Sequence, residues 1–207
     1  MRKLDLDSIP HLSNCLIRMG RRQWSTFCMR LLASWWGVDL GKDCLAYGLP
    51  RFRRYPRSRI IIGPACEFNS SAASNLIGVN RPCILSTLSD RAKIQIGSNC
   101  GFSGTVIGCS DTILIGDNVR CGANTLITDT DWHTDDPRTN LDTPVLLEKN
   151  VWLGVNVIIL KGVSVGENTL VAAGSVVTRT LPSNVIAGGN PAKVLRTISP
   201  TQQGAKQ

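Results

Sequence analysis

Five aliphatic residues in the last third of the chain, Leu153, Ile159, Val165, Val171 and Val177, are each separated by six positions. A second register, Val151, Val157, Val163, Thr169, Ser175 and Leu181, keeps the same step. A helix repeats about every 3.6 residues and a strand every second residue, so neither alone generates a period of six. Short flat strands joined by sharp corners do, each face of a coiled prism turning one aliphatic inward per repeat. Hexapeptide periods of this kind mark β-helices. The pattern predicts an all-β solenoid. Its coils repeat one another, so residues that interrupt the beat are the first candidates for a site.

The 207 residues, 43% of them hydrophobic, suffice for one domain with a substantial core. Aromatics make up only 5% while Gly numbers 19, which suits narrow coils filled by small aliphatics and Cys. The net charge of +8 lies wholly in residues 1–60, which carry 12 Lys/Arg against 4 Asp/Glu, leaving the repeat body neutral. That balance argues against a polyanion-binding solenoid and against nucleic acid as a partner, since no reader motif accompanies the basic run from Arg51 to Arg59. None of the eight cysteines forms a C-x-x-C pair. Cys44, Cys66 and Cys100 each follow the Gly of an aliphatic-Gly corner by three residues, the position of stacked small interior side chains. Free thiols in a reducing, cytoplasmic setting are expected. Asp5, Asp7 and Pro10 close to Met1 predict no secretory signal.

Residues 1–36 read as an N-terminal segment with one or two short amphipathic helices over 11–36, capping the open end of the solenoid. The Trp and Arg residues there also suit a peripheral membrane contact. The solenoid is expected over 37–196, a flexible tail over 197–207. Corners such as Ile96-Gly97, Ile115-Gly116 and Val165-Gly166 are followed two residues on by Asn, which tolerates left-handed dihedrals.

The beat stops after Ile127 and resumes at Val151, so a loop over 128–150 is expected to be ejected from the prism. It is polar, acidic and bears Pro137, and it holds one of only two histidines, His133, behind Asp129 and Asp131. An imidazole can take a proton from a hydroxyl or amine, and a carboxylate can orient it. Asp131 is the first candidate for that carboxylate, Asp129 the second, with Trp132 a candidate acceptor contact. Ser103, Asn124 and Thr125, polar positions in the coils just before the loop, are candidates for orienting a hydroxylated substrate. With two histidines and no Cys set, the three-histidine zinc site of one solenoid family cannot be built, and no metal is expected. Lys193 and Arg196, three apart in an expected C-terminal helical turn, are candidates to meet phosphates together with Arg179.

Over residues 94–196 the chain resembles the left-handed β-helix acyltransferases of the hexapeptide-repeat superfamily, in the branch of sugar and polysaccharide O-acetyltransferases related to the maltose and galactoside enzymes. The residues that carry the resemblance are Ile94-Gln95-Ile96-Gly97, Ile115-Gly116-Asp117-Asn118, Thr128-Asp129-Thr130-Asp131-Trp132-His133, Val151-Trp152-Leu153-Gly154, Ala172-Ala173-Gly174-Ser175 and Gly189-Asn190-Pro191-Ala192-Lys193. The resemblance implies a left-handed parallel β-helix, a homotrimer with sites between neighbouring prisms, acetyl-CoA as donor and His133 as general base. It implies CoA contacts at Gly154, Val155, Ala173, Thr178, Arg179, Lys193 and Arg196, and acceptor contacts near Ser103 and Asp111. The maltose and galactoside enzymes carry Asn where this chain has Ser103, which points to a different acceptor. The expected activity is transfer of acetyl to a sugar hydroxyl in polysaccharide or glycan biosynthesis. The alternatives are N-acetylation of an amino sugar and a non-catalytic scaffold.

Overall fold

The computed structural model describes residues 7–133 and 135–198. After an N-terminal helix the chain winds through six turns of three strands. The first turn is β1 (Asp39–Leu40), β2 (Leu45–Tyr47) and β3 (Arg51–Arg53), the second β4 (Arg59–Ile62), β5 (Glu67–Asn69) and β6 (Ile84–Thr87). The third is β7 (Lys93–Ile96), β8 (Gly101–Ser103) and β9 (Val106–Cys109), the fourth β10 (Thr112–Ile115), β11 (Arg120–Cys121) and β12 (Leu126–Thr128). The fifth is β13 (Val145–Leu147), β14 (Trp152–Leu153) and β15 (Ile158–Ile159), the sixth β16 (Ser164–Val165), β17 (Leu170–Val171) and β18 (Val176–Val177). A hairpin of β19 (Val185–Gly189) and β20 (Ala192–Thr197) ends it.

Every third strand pairs in parallel, so the coils stack into three sheets. The first runs β1-β4-β7-β10-β13-β16, the second β2-β5-β8-β11-β14-β17-β19-β20, the third β3-β6-β9-β12-β15-β18. This is the architecture of the left-handed parallel β-helix. The six-residue beat is the interior column: Leu153, Ile159, Val165, Val171 and Val177 are all fully buried, as are Val151, Val157 and Val163. The early coils hold aromatics in this column, where Phe68 stacks on Phe102 with ring centroids 5.3 Å apart.

The corners depend on close approach between coils. The Gly of each aliphatic-Gly pair is needed because the next coil is too close for a Cβ. One at Gly41 would lie 2.5 Å from the Gly63 carbonyl carbon, one at Gly116 2.7 Å from the Lys149 nitrogen. The left-handed conformation falls two residues later, on Asn99 (φ 56°), Asn118 (58°) and Asn168 (59°), the residues expected to tolerate it. These Asn side chains also form ladders: Asn99 Nδ2 donates to Asn118 Oδ1 at 2.8 Å, Asn168 Nδ2 to Asn184 Oδ1 at 3.0 Å. The cysteines follow suit. The thiols of Cys44, Cys66 and Cys100 donate at 3.2 Å to the carbonyls of Gly63, Gly97 and Gly116 in the next coil. All eight cysteines are free. Burial pushes the thiols of Cys109 and Cys121 well up, so both are protonated packing groups.

The N-terminal segment is one continuous helix, α1 (Ser8–Trp36), rather than one or two short ones. Pro10 falls in its first turn, where it costs no hydrogen bond, and Gly20 does not break it. Its C-terminal half packs on the first coil. Met29 and Ala33 enter the core, Thr26 Oγ1 accepts from the Ala46 amide at 3.0 Å, and Ser25 Oγ accepts from Gly48 at 3.1 Å. Left-handed Gly37 (φ 62°) stops the helix, its N–H returning to Ser34 and that of Val38 to Ala33.

The expected C-terminal helical turn is instead strand β20, antiparallel to β19, with Gly188 opposite Lys193 and Ile186 opposite Arg196. The edge of β19 offers unpaired backbone groups, and the Asn190-Pro191 turn folds the chain back onto them. Thr197, expected in the tail, still belongs to β20, and residues 199–207 lie outside the described residues. Among the described residues no helix is long and apolar enough to cross a membrane.

Candidate active site

Two segments leave the prism. Residues 70–83 emerge between the second and third sheets, residues 129–144 between the third and the first. The second of these carries His133. The expected loop was 128–150, but Thr128 completes β12 and the solenoid resumes at β13, where Val145 and Leu147 are core residues.

Both ends of this loop meet at Asp129. Its side chain is fully buried, Oδ1 accepting from the Ser110 amide at 2.7 Å and Oδ2 from the Asp111 amide at 2.9 Å and the Cys109 thiol at 3.3 Å. Its carbonyl accepts from the Thr143 amide at 3.0 Å, closing the loop at its base. Asp129 is therefore a structural anchor, fully occupied by donors of the preceding coil.

Trp132 has a left-handed backbone (φ 69°), sparsely populated for a bulky residue. Its indole lies over Gly108 in β9, at a place where a Cβ on residue 108 would overlap the ring. Asp131 points the other way. Its carboxylate meets Lys161 Nζ at 2.5 Å and the Asn140 amide at 3.3 Å, while Lys161 Nζ also donates to the Asn140 carbonyl at 2.9 Å. The Lys161 ammonium holds the Asp131 carboxyl below the usual carboxylate range. The expected pairing of Asp131 with His133 is absent, and Asp131 is bonded to Lys161 and Asn140 instead. The His133 side chain is exposed, and among the described residues its imidazole has no hydrogen-bond partner.

The remaining acceptor candidates fall into two groups. Asp111 lies half-buried at the same edge as Asp129, Trp132 and His133. Ser103 and Asn124 are buried at the opposite edge of the third sheet, about 13 Å away across a four-residue strand. There they hold the other loop. Ser103 Oγ accepts from Asn75 Nδ2 at 3.3 Å, Asn124 Oδ1 from the Asn80 amide at 3.1 Å, and Asn124 Nδ2 donates to the Gly78 carbonyl at 2.8 Å. Arg81 adds bonds to the carbonyls of Gly104 (3.1 Å) and Asn124 (2.5 Å). Thr125 is fully buried, its hydroxyl on the Gly122 carbonyl at 2.7 Å.

Gly154, Val155 and Ala173 stack on the corner between the second and third sheets, where a Cβ on Gly154 would lie 2.6 Å from the Ala173 nitrogen. The β19–β20 hairpin brings Lys193 to that corner, for Gly188, its partner, sits beside Ala172. Ala173 is exposed and Gly174 faces open space, so the corner is a shelf of small residues with an exposed ammonium at its end. Thr178 and Arg179 are exposed at the far edge, after β18, and Arg196 lies further along β20.

Gly108, Lys161 and Arg81 escaped the sequence reading. Gly108 had a legible signal: a glycine inside the aliphatic strand Val106-Ile107-Gly108-Cys109 marks a close approach by another group. Lys161 and Arg81 stand in no periodic register, and only the folded loops give them partners.

Comparison with known proteins agrees with this architecture. The profile of the hexapeptide repeat of succinyl-transferase matches residues 144–179. The galactoside O-acetyltransferase of Lactococcus lactis is 39% identical over 108 residues, 50% of this chain and 51% of that protein. That of Escherichia coli is 36% identical over 114 residues, 52% of this chain and 56% of that one. The chain thus spans about half the length of the curated relatives it matches. Among solved structures, AntD, an N-acyltransferase from Bacillus cereus in complex with dTDP and 3-hydroxybutyryl-CoA, superposes with a TM-score of 0.62 at 21% identity, covering 86% of this chain and 93% of that one. The fold is the hexapeptide-repeat acyltransferase fold. Within it, the chain is related to the galactoside-type O-acetyltransferases.

Proposed function

We propose that this protein is an acyl-CoA-dependent acyltransferase that moves an acetyl group to a hydroxyl of a sugar in polysaccharide or glycan synthesis, with His133 as general base. The observation that carries the reading is the insertion over residues 129–144. A rigid solenoid lifts a lone imidazole on a loop anchored at Asp129, Trp132 and Lys161. Sequence kinship to the galactoside O-acetyltransferases and structural likeness to a CoA-bound acyltransferase support it.

The shelf of Gly154, Val155, Ala173 and Gly174 suits the slender arm of CoA, because small side chains let it approach the backbone closely. Lys193 at the end of the shelf supplies a cation for its phosphates, whereas Arg179 and Arg196, expected to join it, lie away from that end. When bound, acetyl-CoA supplies the acyl group activated as a thioester. His133 accepts the proton of the acceptor hydroxyl and then holds it for return to the leaving sulfur. Asp131, committed to Lys161, positions the loop rather than the imidazole. The His133 edge and the Ser103 edge lie about 13 Å apart within one protomer, so a single sugar unit meeting both needs two prisms side by side. This favours the homotrimer that the resemblance implies, with the site completed between subunits.

The test is steady-state kinetics with acetyl-CoA and a panel of sugars with and without a free amine. His133→Ala is expected to lower kcat by about 10²–10⁴-fold, the range for removing a general base, with CoA affinity near wild type. Wild-type turnover in this variant removes His133 from the mechanism. Turnover confined to amino sugars replaces O- by N-acetylation, and absence of CoA binding in a titration leaves a non-catalytic scaffold.

A further inference from the structure

The helix α1 has two faces with separate uses. Ser25, Met29 and Ala33, one turn apart, are buried against the first coil. On the opposite side of the helical wheel, Leu12, Leu16, Trp24, Phe27, Leu31 and Trp35 recur at steps of three or four residues, with Gly20 filling the single gap. Leu16 is 70% exposed, Trp24 68% and Trp35 84%, so the fold covers none of them. Scattered exposed leucines are ordinary, but an apolar row about 35 Å long is a docking surface.

The charges around the row select its occupant. Arg21 and Arg30 flank it on either side, Arg18 and Arg22 lie on the side turned to the solenoid, and no Asp or Glu lies between residues 8 and 36. Arg18 stacks over the Tyr47 ring at 5.5 Å and Arg30 reaches the Cys44 carbonyl at 3.4 Å. Arg21 and Arg22 make no such contact among the described residues and remain exposed. The first coils add exposed Arg51, Arg53 and Arg59. A second copy of this helix would bring like charges together and offer no carboxylate to meet them. A nucleic acid would leave the indoles and leucines in water.

We infer that the outward face of α1 lies on an anionic lipid surface, its apolar row in the interfacial region and its arginines among the headgroups. The helix is held parallel to that surface by the same residues that seat it on the solenoid, so docking needs no refolding. This inference is independent of the acyl-transfer reading and is tested without an activity assay.

The experiment is co-sedimentation of the full chain with vesicles of phosphatidylcholine alone or mixed with phosphatidylglycerol, followed also by Trp emission. Binding to the mixed vesicles is expected, with a blue shift, and is expected to weaken as salt rises because the arginines are screened. The double variant Trp24→Glu/Trp35→Glu is expected to lose at least about tenfold in partitioning, since both rings lie on the apolar row. Both side chains are exposed, so its circular dichroism and melting temperature are expected to match wild type. Arg21→Glu is expected to weaken the preference for phosphatidylglycerol. The inference is overturned if wild type ignores the mixed vesicles or if the Trp variant binds them equally. It is also overturned if the Trp variant alters oligomer mass in light scattering while wild type ignores lipid, which gives the face to a second copy.

Discussion

Two insertions interrupt the same solenoid and are held in opposite ways. Residues 70–83 fold back onto the coils along their length, with Asn75, Gly78, Asn80 and Arg81 all bonded to Ser103, Gly104 or Asn124. Residues 129–144 are fastened at the base by Asp129 and Thr143 and on one flank by Lys161, and they raise His133 clear of the prism. The first insertion bonds at several points to the corner it covers and so becomes a clamp. The second confines its coil contacts to a few points and so becomes an arm. An insertion in a repeat thus carries chemistry only where its anchors leave a reactive side chain unspent.

The largest effect on this contrast is expected from Asp129→Ala. It strips two backbone N–H groups and a thiol of their acceptor in a site with no water access, at about 1–3 kcal/mol per orphaned donor. Calorimetry is expected to show a loss of roughly 2–5 kcal/mol, with activity falling as the arm loses its base. A variant as stable as wild type breaks the account of Asp129 as anchor. Next comes Gly108→Ala. The added methyl overlaps the Trp132 indole, so the arm moves while the strand keeps its core contacts. A misplacement of this kind costs about 10- to 100-fold in kcat, and the melting temperature is expected to change little. An unchanged kcat detaches the Trp132 seat from the position of His133.

The two insertions also differ in how visible they were in the sequence. The arm is legible because it breaks a strict beat: Ile127 and Leu153 are core residues that no whole number of hexads connects. The clamp is not, because the beat around Phe52 and Phe68 is already irregular. The three-sheet prism, its Asn corners and its interior cysteines follow from local spacing. The hairpin β19–β20 does not, since Lys193 and Arg196 fit a helical turn as well as a bulged strand, and only the open edge of β19 decides between them. At the site, residue types pointed to His133 and to both aspartates. The partners of those aspartates, a buried amide pair and Lys161, depend on coils 18 to 30 positions away in sequence, which no local pattern encodes.

Lys161→Ala tests the flank of the arm. Lys161 lowers the Asp131 carboxyl, so the tie is present above the ordinary carboxylate value of about 3.9 and is lost as pH falls through the lowered folded value. From about pH 5 to 8 Asp131 therefore stays ionised, and the loss of kcat in Lys161→Ala, several-fold for a tie this exposed, is expected to be constant across that range. A loss that varies with pH inside this window assigns Asp131 a proton-transfer part instead of a positioning one.

The smallest effect on turnover is expected on the clamp. Arg81→Ala removes two bonds to backbone carbonyls, of Gly104 and Asn124, and loosens residues 70–83 over Ser103 without touching the His133 arm. If Ser103 belongs to the acceptor side, the change raises the acceptor KM a few-fold, leaves kcat near wild type, and leaves CoA affinity unaltered, because uniform binding of the acceptor is lost while the proton-transfer group stays in place. Equal losses in kcat and kcat/KM break the division of labour between clamp and arm. They show that the two edges, about 13 Å apart in one protomer, act on the same transition state.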